Sequence, residues 1–262
     1  MNKHQELLHL IEWKDLLHVS FKEKVIEFLL PWPWFVASLY AAHCQLYLLA
    51  LAFSFMFFLI MGRLSHAAIH HSLGTTKKQN RWVLILCSTF ILSSMHAIQI
   101  NHLRHHHLFM QDDDIEAMSS KMPWWKALLI GPWYTILLHI KAFQVGNRQE
   151  RKWMYCELLI ILLLVCTIFF FLEMTFLKFH IIAMLIGQSM TAFFAGWLVH
   201  HDTDDHIYQA RTLRGNLKGK MSYSMFYHVE HHLFPRVPAQ HLHIIAQRLD
   251  AYHPDIKMKK VF

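Results

Sequence analysis

The sequence predicts an all-α integral membrane protein: four transmembrane helices in two hairpins, with a cytosolic helical cap that holds a histidine-rich di-metal site. Three observations carry that expectation. Of the 262 residues, 55% are hydrophobic and 16% charged, against roughly 45–50% and 25% in soluble domains. The apolar residues gather into long charge-free runs that come in pairs. The 23 histidines cluster beside those runs at helical spacing. These figures exclude a disordered chain. Cys44, Cys87, Cys156 and Cys166 lie in apolar stretches without a CxxC spacing. That excludes a disulfide scaffold and argues against thiolate zinc or iron–sulfur sites.

The chain reads as one membrane-embedded domain over 1–262. Residues 1–26 mix Lys, Glu and Asp with Leu7, Leu10, Ile11, Leu17 and Phe21. They suggest an amphipathic segment on the membrane surface, with no cleavable signal. Between Glu27 and Arg63 stand 35 residues without Asp, Glu, Lys or Arg. A hydrocarbon core ~30 Å thick needs ~20 residues per helix, so this run makes two short spans, about 27–43 and 46–65. Polar His43 and Gln45 mark the turn between them. Two further runs, about 153–176 and 179–201, flank a second turn with Glu173 and Lys178. A charge at a span centre costs ~2.5–3.5 kcal/mol on insertion scales, so such runs are not accidental.

Two weaker runs remain. Trp82–Leu103 lacks charge but carries Ser88, Thr89, Ser93, Ser94, His96, Gln99 and Asn101. Residues 127–140 are short and hold Gly131, Pro132 and His139. Both are expected in the interface or under the helices rather than crossing. With four spans, 24 of the 25 Lys and Arg fall on one side and only Lys178 on the other. The positive-inside rule makes that side, with both termini and the long loops, cytoplasmic. The net charge of +7 is then topology and contact with anionic lipid, and a nucleic-acid partner has no further support.

Three clusters carry the chemistry. His66 and His70 follow the second span. His102, His105 and His106 follow the weak run, and His228, His231 and His232 lie near the C-terminus. Residues at i, i+3 and i+4 share one helix face. Each HxxHH can therefore present three imidazoles together, and eight imidazoles fill two coordination spheres of iron, zinc, copper or nickel. A single HxxH pair arises by chance in a chain this rich in histidine; three clusters on one side of the membrane do not. Shared metal also demands an even number of crossings between clusters, which again makes Trp82–Leu103 non-spanning. Metal-bound histidines usually donate their second N–H to a carboxylate or carbonyl. Asp112, Asp113, Asp114 and Glu116, Asp202, Asp204 and Asp205, and Glu230 stand nearest in sequence. A metal transporter would instead line its mid-membrane path with histidines; here the clusters flank the spans on one side, and His43 and His180 lie near the opposite turns.

HAAIH at 66–70, HLRHH at 102–106 and HVEHH at 228–232 resemble the three histidine boxes of the membrane fatty acid desaturase superfamily. The phrase YHVEHHLFPRVP, Tyr227 to Pro238, is similar to the third box of its acyl-lipid desaturase branch. The resemblance extends from about Phe28 to Tyr252. It implies a centre of two iron ions with O2 as co-substrate, held by His66, His70, His102, His105, His106, His228, His231 and His232. A ninth ligand at the end of the fourth span is implied, for which His201 matches best and His200 is the rival. His71, His107, His200, Asp112, Asp113, Asp114, Asp202, Asp205 and Glu230 are then candidates for the surrounding shell. The implied reaction is desaturation of a fatty acyl chain, with a lipid or carotenoid hydroxylase or ketolase as the alternative. No haem attachment motif or cysteine cluster is present, so electrons are expected from an external ferredoxin, rubredoxin, or cytochrome b5 with its reductase. Lys218, Lys220 and Arg214 offer a basic face to such a carrier.

Overall fold

The computed structural model describes residues 10–203, 208–215, 217–252 and 258–261. Among the described residues the fold is helical, and the only pairing of β type is an isolated bridge between Thr212 and Lys260. Four helices are long and apolar enough to cross a membrane: Phe21–His43, Tyr47–Ile69, Arg148–Phe170 and Thr175–His200.

The first combines α1 (Phe21–Leu29) and α2 (Trp32–His43), joined at Pro31. Ser20 and Glu23 form a capping box that starts α1, satisfying donors that the first helical turn leaves free. The amphipathic segment expected over 1–26 lies partly outside the described residues, and α1 begins within it, at Phe21. Residues Lys14–Leu17 form a 3-10 turn, and the chain leaves helical geometry before Ser20. Phe21 already begins the first long apolar helix. Residues 1–9 lie outside the described part.

Gln45, at a φ of 61°, reverses the chain into α3 (Tyr47–Ile69). Ser38 Oγ lies 2.6 Å from Ser54 Oγ and 3.2 Å from the Ala50 carbonyl. Small residues with hydroxyls at such a crossing let two apolar helices approach closely while every polar atom finds a partner. Glu27 and Arg63, which bounded the charge-free run, meet: Nε donates to Oε1 at 2.8 Å and Nη2 to Oε2 at 2.7 Å. The pair is buried and bidentate, and Arg63 Nη1 also donates to the Tyr223 carbonyl. Losing one partner of such a pair would strand a buried charge, at ~3–5 kcal/mol.

The weak run Trp82–Leu103 is broken. α4 (Lys77–Ile91) ends at Leu92 in left-handed geometry, φ 63°, and α5 (Met95–Leu108) leaves at 112° to it. The α5 start is held from α8 (Arg148–Phe170). Glu157, 1% exposed, accepts from Ser94 Oγ at 2.5 Å and from the His96 amide at 3.2 Å. Its other oxygen lies 2.7 Å from His96 Nδ1. A carboxylate at a helix N-terminus satisfies free amides and meets the positive end of the dipole. Between these elements come α6 (Trp124–Leu129) and α7 (Gly131–Val145). Gly131 sits where any Cβ would lie 1.6 Å from the Ser189 carbonyl oxygen, at the end of α9 (Thr175–Ser189). Only glycine permits that approach. The helix then continues through a π-helical turn, Ala192–Trp197, into α10 (Leu198–His200). The C-terminal region adds α11 (Leu217–Met221), α12 (His228–Leu233) and α13 (Leu242–Tyr252). α12 and α13, with the residues just after α12, share a small core of Val229, Phe234, Ile245 and Leu249 with Ile11 and Leu16.

Candidate metal centre

α3 runs to Ile69, one turn past the expected end at 65, so His66 sits on a helix anchored in the apolar body. His70 caps it. α5 carries His102, His105 and His106 on one face, while α12 carries His228, His231 and His232. These elements converge into two groups. His66, His70, His102 and His231 have nitrogens within 4.8 Å of one another, and so do His105, His200, His228 and His232.

The second group is the more regular. Its Nε2 atoms form a closed ring: His200 to His228 2.9 Å, His228 to His232 3.0 Å, His232 to His105 3.3 Å, His105 to His200 3.2 Å. Nitrogens ~2.1 Å from a common ion, at right angles, lie ~3.0 Å apart. The donor set therefore fits a divalent transition metal that takes imidazole. In the first group His70 Nε2 is buried without a hydrogen-bond partner, as the donor atom of a metal-binding ring would be. His106 stands between the groups, its Nε2 2.9 Å from that of His231 and 3.2 Å from that of His102, and its ring stacked on His232 at 4.5 Å.

Two carboxylates orient these rings. Glu116 Oε1 lies 2.6 Å from His102 Nδ1 and Asp114 Oδ2 lies 2.7 Å from His105 Nδ1. Each leaves Nε2 free to face inward, the arrangement that sets tautomer and basicity of metal-binding histidines. Burial pushes the Asp114 carboxyl up, but its hydrogen bond and attraction to His105, with the Met110 and Ala117 amides, bring it below the usual carboxylate range. Burial first, then the neighbouring imidazoles, holds His228, His231 and His232 well below the ordinary histidine value. The rings are therefore neutral, the form that binds metal.

Other expected positions fall elsewhere. His201 is not in either group. Its ring stacks on Trp197 at 3.7 Å, its Nδ1 lies 2.9 Å from the Trp197 carbonyl, and His200 takes the inward place. The π-helical turn just before them explains the exchange: one extra residue in a turn rotates the downstream side chains by about 100°. His71, at φ 56°, lies 2.6 Å from Asn80 Nδ2, and His107 is exposed. Asp112 and Asp113 are exposed, Asp113 between Arg104 and Lys141. Asp202 is exposed against Arg211 and Lys259. Glu230 is fully buried, but it accepts from Thr212 Oγ at 2.7 Å and from Arg214 rather than from an imidazole. Asp204 and Asp205 lie outside the described residues. In the sequence Glu157 is only a charge near a span end. The signal that could have found it is that an ionisable residue inside an apolar run is a functional or anchoring position by default.

A cavity of about 230 Å³ adjoins the centre. His66, His102, His228 and Glu116 form one end, and Phe55, Phe58, Leu59, Ile91, Ile98 and Leu138 line much of the rest. From His66 to Phe55 is 11 residues of α3, about 16 Å at 1.5 Å per residue.

Two groups of imidazoles able to hold a metal ion, two of their rings oriented by carboxylates, adjoin an apolar cavity. The pattern of the fatty acid desaturase family matches residues 42–259, and the chain belongs to that family. It is also similar to a protein described as sphingolipid delta(4)-desaturase DES1-like from Oryza sativa subsp. japonica. The two are 24% identical over 202 residues, 74% of this chain and 61% of that relative. The chain thus spans less than two thirds of the relative's length.

Proposed function

We propose that this chain is a membrane di-iron oxidoreductase that uses O2 to introduce a double bond into the hydrocarbon chain of a lipid. The observation that carries this reading is the meeting of the two imidazole groups with the apolar cavity at His66, His102 and His228. Two iron ions bound there would supply the oxidising power, with O2 and external electrons, to break an unactivated C–H bond. His66, His70, His102 and His231 would hold one ion, and His105, His200, His228 and His232 the other, with His106 between. Glu116 and Asp114 fix the rings of His102 and His105. The aromatic and aliphatic walls bind an extended chain, exclude water and hold one segment of it against the centre. Lys and Arg distribution supports a multi-pass protein with termini and centre on the cytoplasmic side. Electrons would come from a ferredoxin, rubredoxin, or cytochrome b5 with its reductase.

The test is expression in a desaturase-deficient host with electron donor supplied, followed by mass spectrometry of total lipids. A product 2 Da lighter than its precursor supports desaturation. One 16 Da heavier replaces it with hydroxylation at the same site. No oxidised lipid from iron-loaded protein would overturn both.

A further inference from the structure

Gly62, Gly131, Gly187 and Gly196 lie in helical segments, and three of these four have a packing reason. A Cβ on Gly131 would meet the Ser189 carbonyl at 1.6 Å, one on Gly196 the Ser119 hydroxyl at 2.2 Å, and one on Gly187 the Phe58 ring at 2.8 Å. Gly62 has none: a Cβ there meets nothing within 4 Å. It sits inside the 23-residue α3, where glycine is the poorest helix former short of proline. Its φ is not positive, so no backbone strain requires it. Gly62 does line the cavity. It lies four residues before His66, on the same helix face and about 5 to 6 Å from it. Phe58, Leu59 and Phe55 line the cavity farther back along the same helix. Anything reaching from the imidazoles to that deeper part runs beside the bare backbone of Gly62.

We propose that Gly62 is a specificity-determining position: its missing side chain is the passage through which a linear hydrocarbon chain continues past the reacting carbon. The substrate class is accordingly an unbranched chain oxidised at an internal carbon, with a tail buried between Gly62 and Phe55. This rests on the function proposed above and adds to it which part of the substrate is measured, and by which residue. Side chains at this position grow into the tail's space and select shorter tails. A misfit of one methylene in an apolar pocket discriminates by about 10- to 200-fold, so Gly62→Val and Gly62→Leu should each shift the long-to-short preference by tenfold or more.

The experiment uses the full-length, iron-loaded protein and Gly62→Ala, Gly62→Val and Gly62→Leu, each checked for iron content. Two readouts are taken. One is the product profile from C12 to C18 acyl chains. The other is the rise in melting temperature caused by lauric and by stearic acid in detergent. The expected result is unchanged iron in all variants, and a loss of C18 product and of stearic-acid stabilisation that grows from Ala to Val to Leu while C12 is retained. Should Leu prevent folding, the Ala–Val comparison carries the test. An unchanged chain-length profile in iron-loaded Val and Leu variants overturns the proposal. So does equal loss at every length, or stabilisation by neither fatty acid. If the wild type makes no product yet stearic-acid stabilisation falls along the series, the passage stands and the proposed reaction falls.

Discussion

Replacing His200 and His201 separately gives the sharpest test of the centre, because neighbouring residues of identical type have opposite surroundings. His200 is 1% exposed and its Nε2 closes two edges of the nitrogen ring, at 2.9 Å and 3.2 Å. His200→Ala removes one of four donors. Loss of even an outer partner of a metal ligand weakens binding by 10–100-fold, about 1.4–2.7 kcal/mol, and loss of a donor itself costs at least that. His201→Ala removes only a ring stacked on Trp197, about 0.5–1.5 kcal/mol of stability. The assay is iron per chain by elemental analysis after dialysis against a weak chelator, with thermal unfolding alongside. His200→Ala should fall from about two irons toward one, while His201→Ala should keep both and lose a few degrees of melting temperature. Retention of both irons by His200→Ala, or their loss in His201→Ala, would refute the assignment of the inward place.

The same geometry sets further outcomes. Asp114→Asn, which weakens the orientation of His105, should lower iron affinity by about 10–100-fold; Asp113→Asn, at an exposed pair, should leave it unchanged, and parallel chelator titrations compare the two. Glu157→Ala removes a buried carboxylate bonded to Ser94 and His96, and should cost about 2–3 kcal/mol in thermal unfolding with partial loss of iron as α5 loosens. Acid should strip the metal-free protein of stability. The rings of His228, His231 and His232 titrate well below 6.5 when folded, so below that pH the unfolded chain binds more protons. Stability is then fully present above pH about 6.5 and lost as pH falls, the slope being positive with pH. Unfolding midpoints measured from pH 8 to 5, and iron retention over the same range, check the sign.

What the sequence alone determined was everything expressed by local spacing. Three clusters at i, i+3 and i+4 identified the family, because an α-helix puts those positions on one face whatever surrounds them. The four charge-free runs marked the helices long and apolar enough to cross a membrane, since the composition of a span is itself the local signal. Tertiary structure decided the matters that depend on the angle at which helices arrive. His200 rather than His201 faces the nitrogen ring because a π-helical turn precedes them, and such a turn leaves no periodic mark in the sequence. Asp114 and Glu116 reach imidazoles, while Asp112, Asp113 and Glu230 do not, because the path of the loop after α5 and the pull of Arg104, Lys141 and Arg214 settle each carboxylate. Glu27 with Arg63, and Glu157 with Ser94 and His96, had no sequence neighbours to announce them. Burial forces such charges to find partners wherever the fold supplies them, and those partners lie 36 and about 60 residues away.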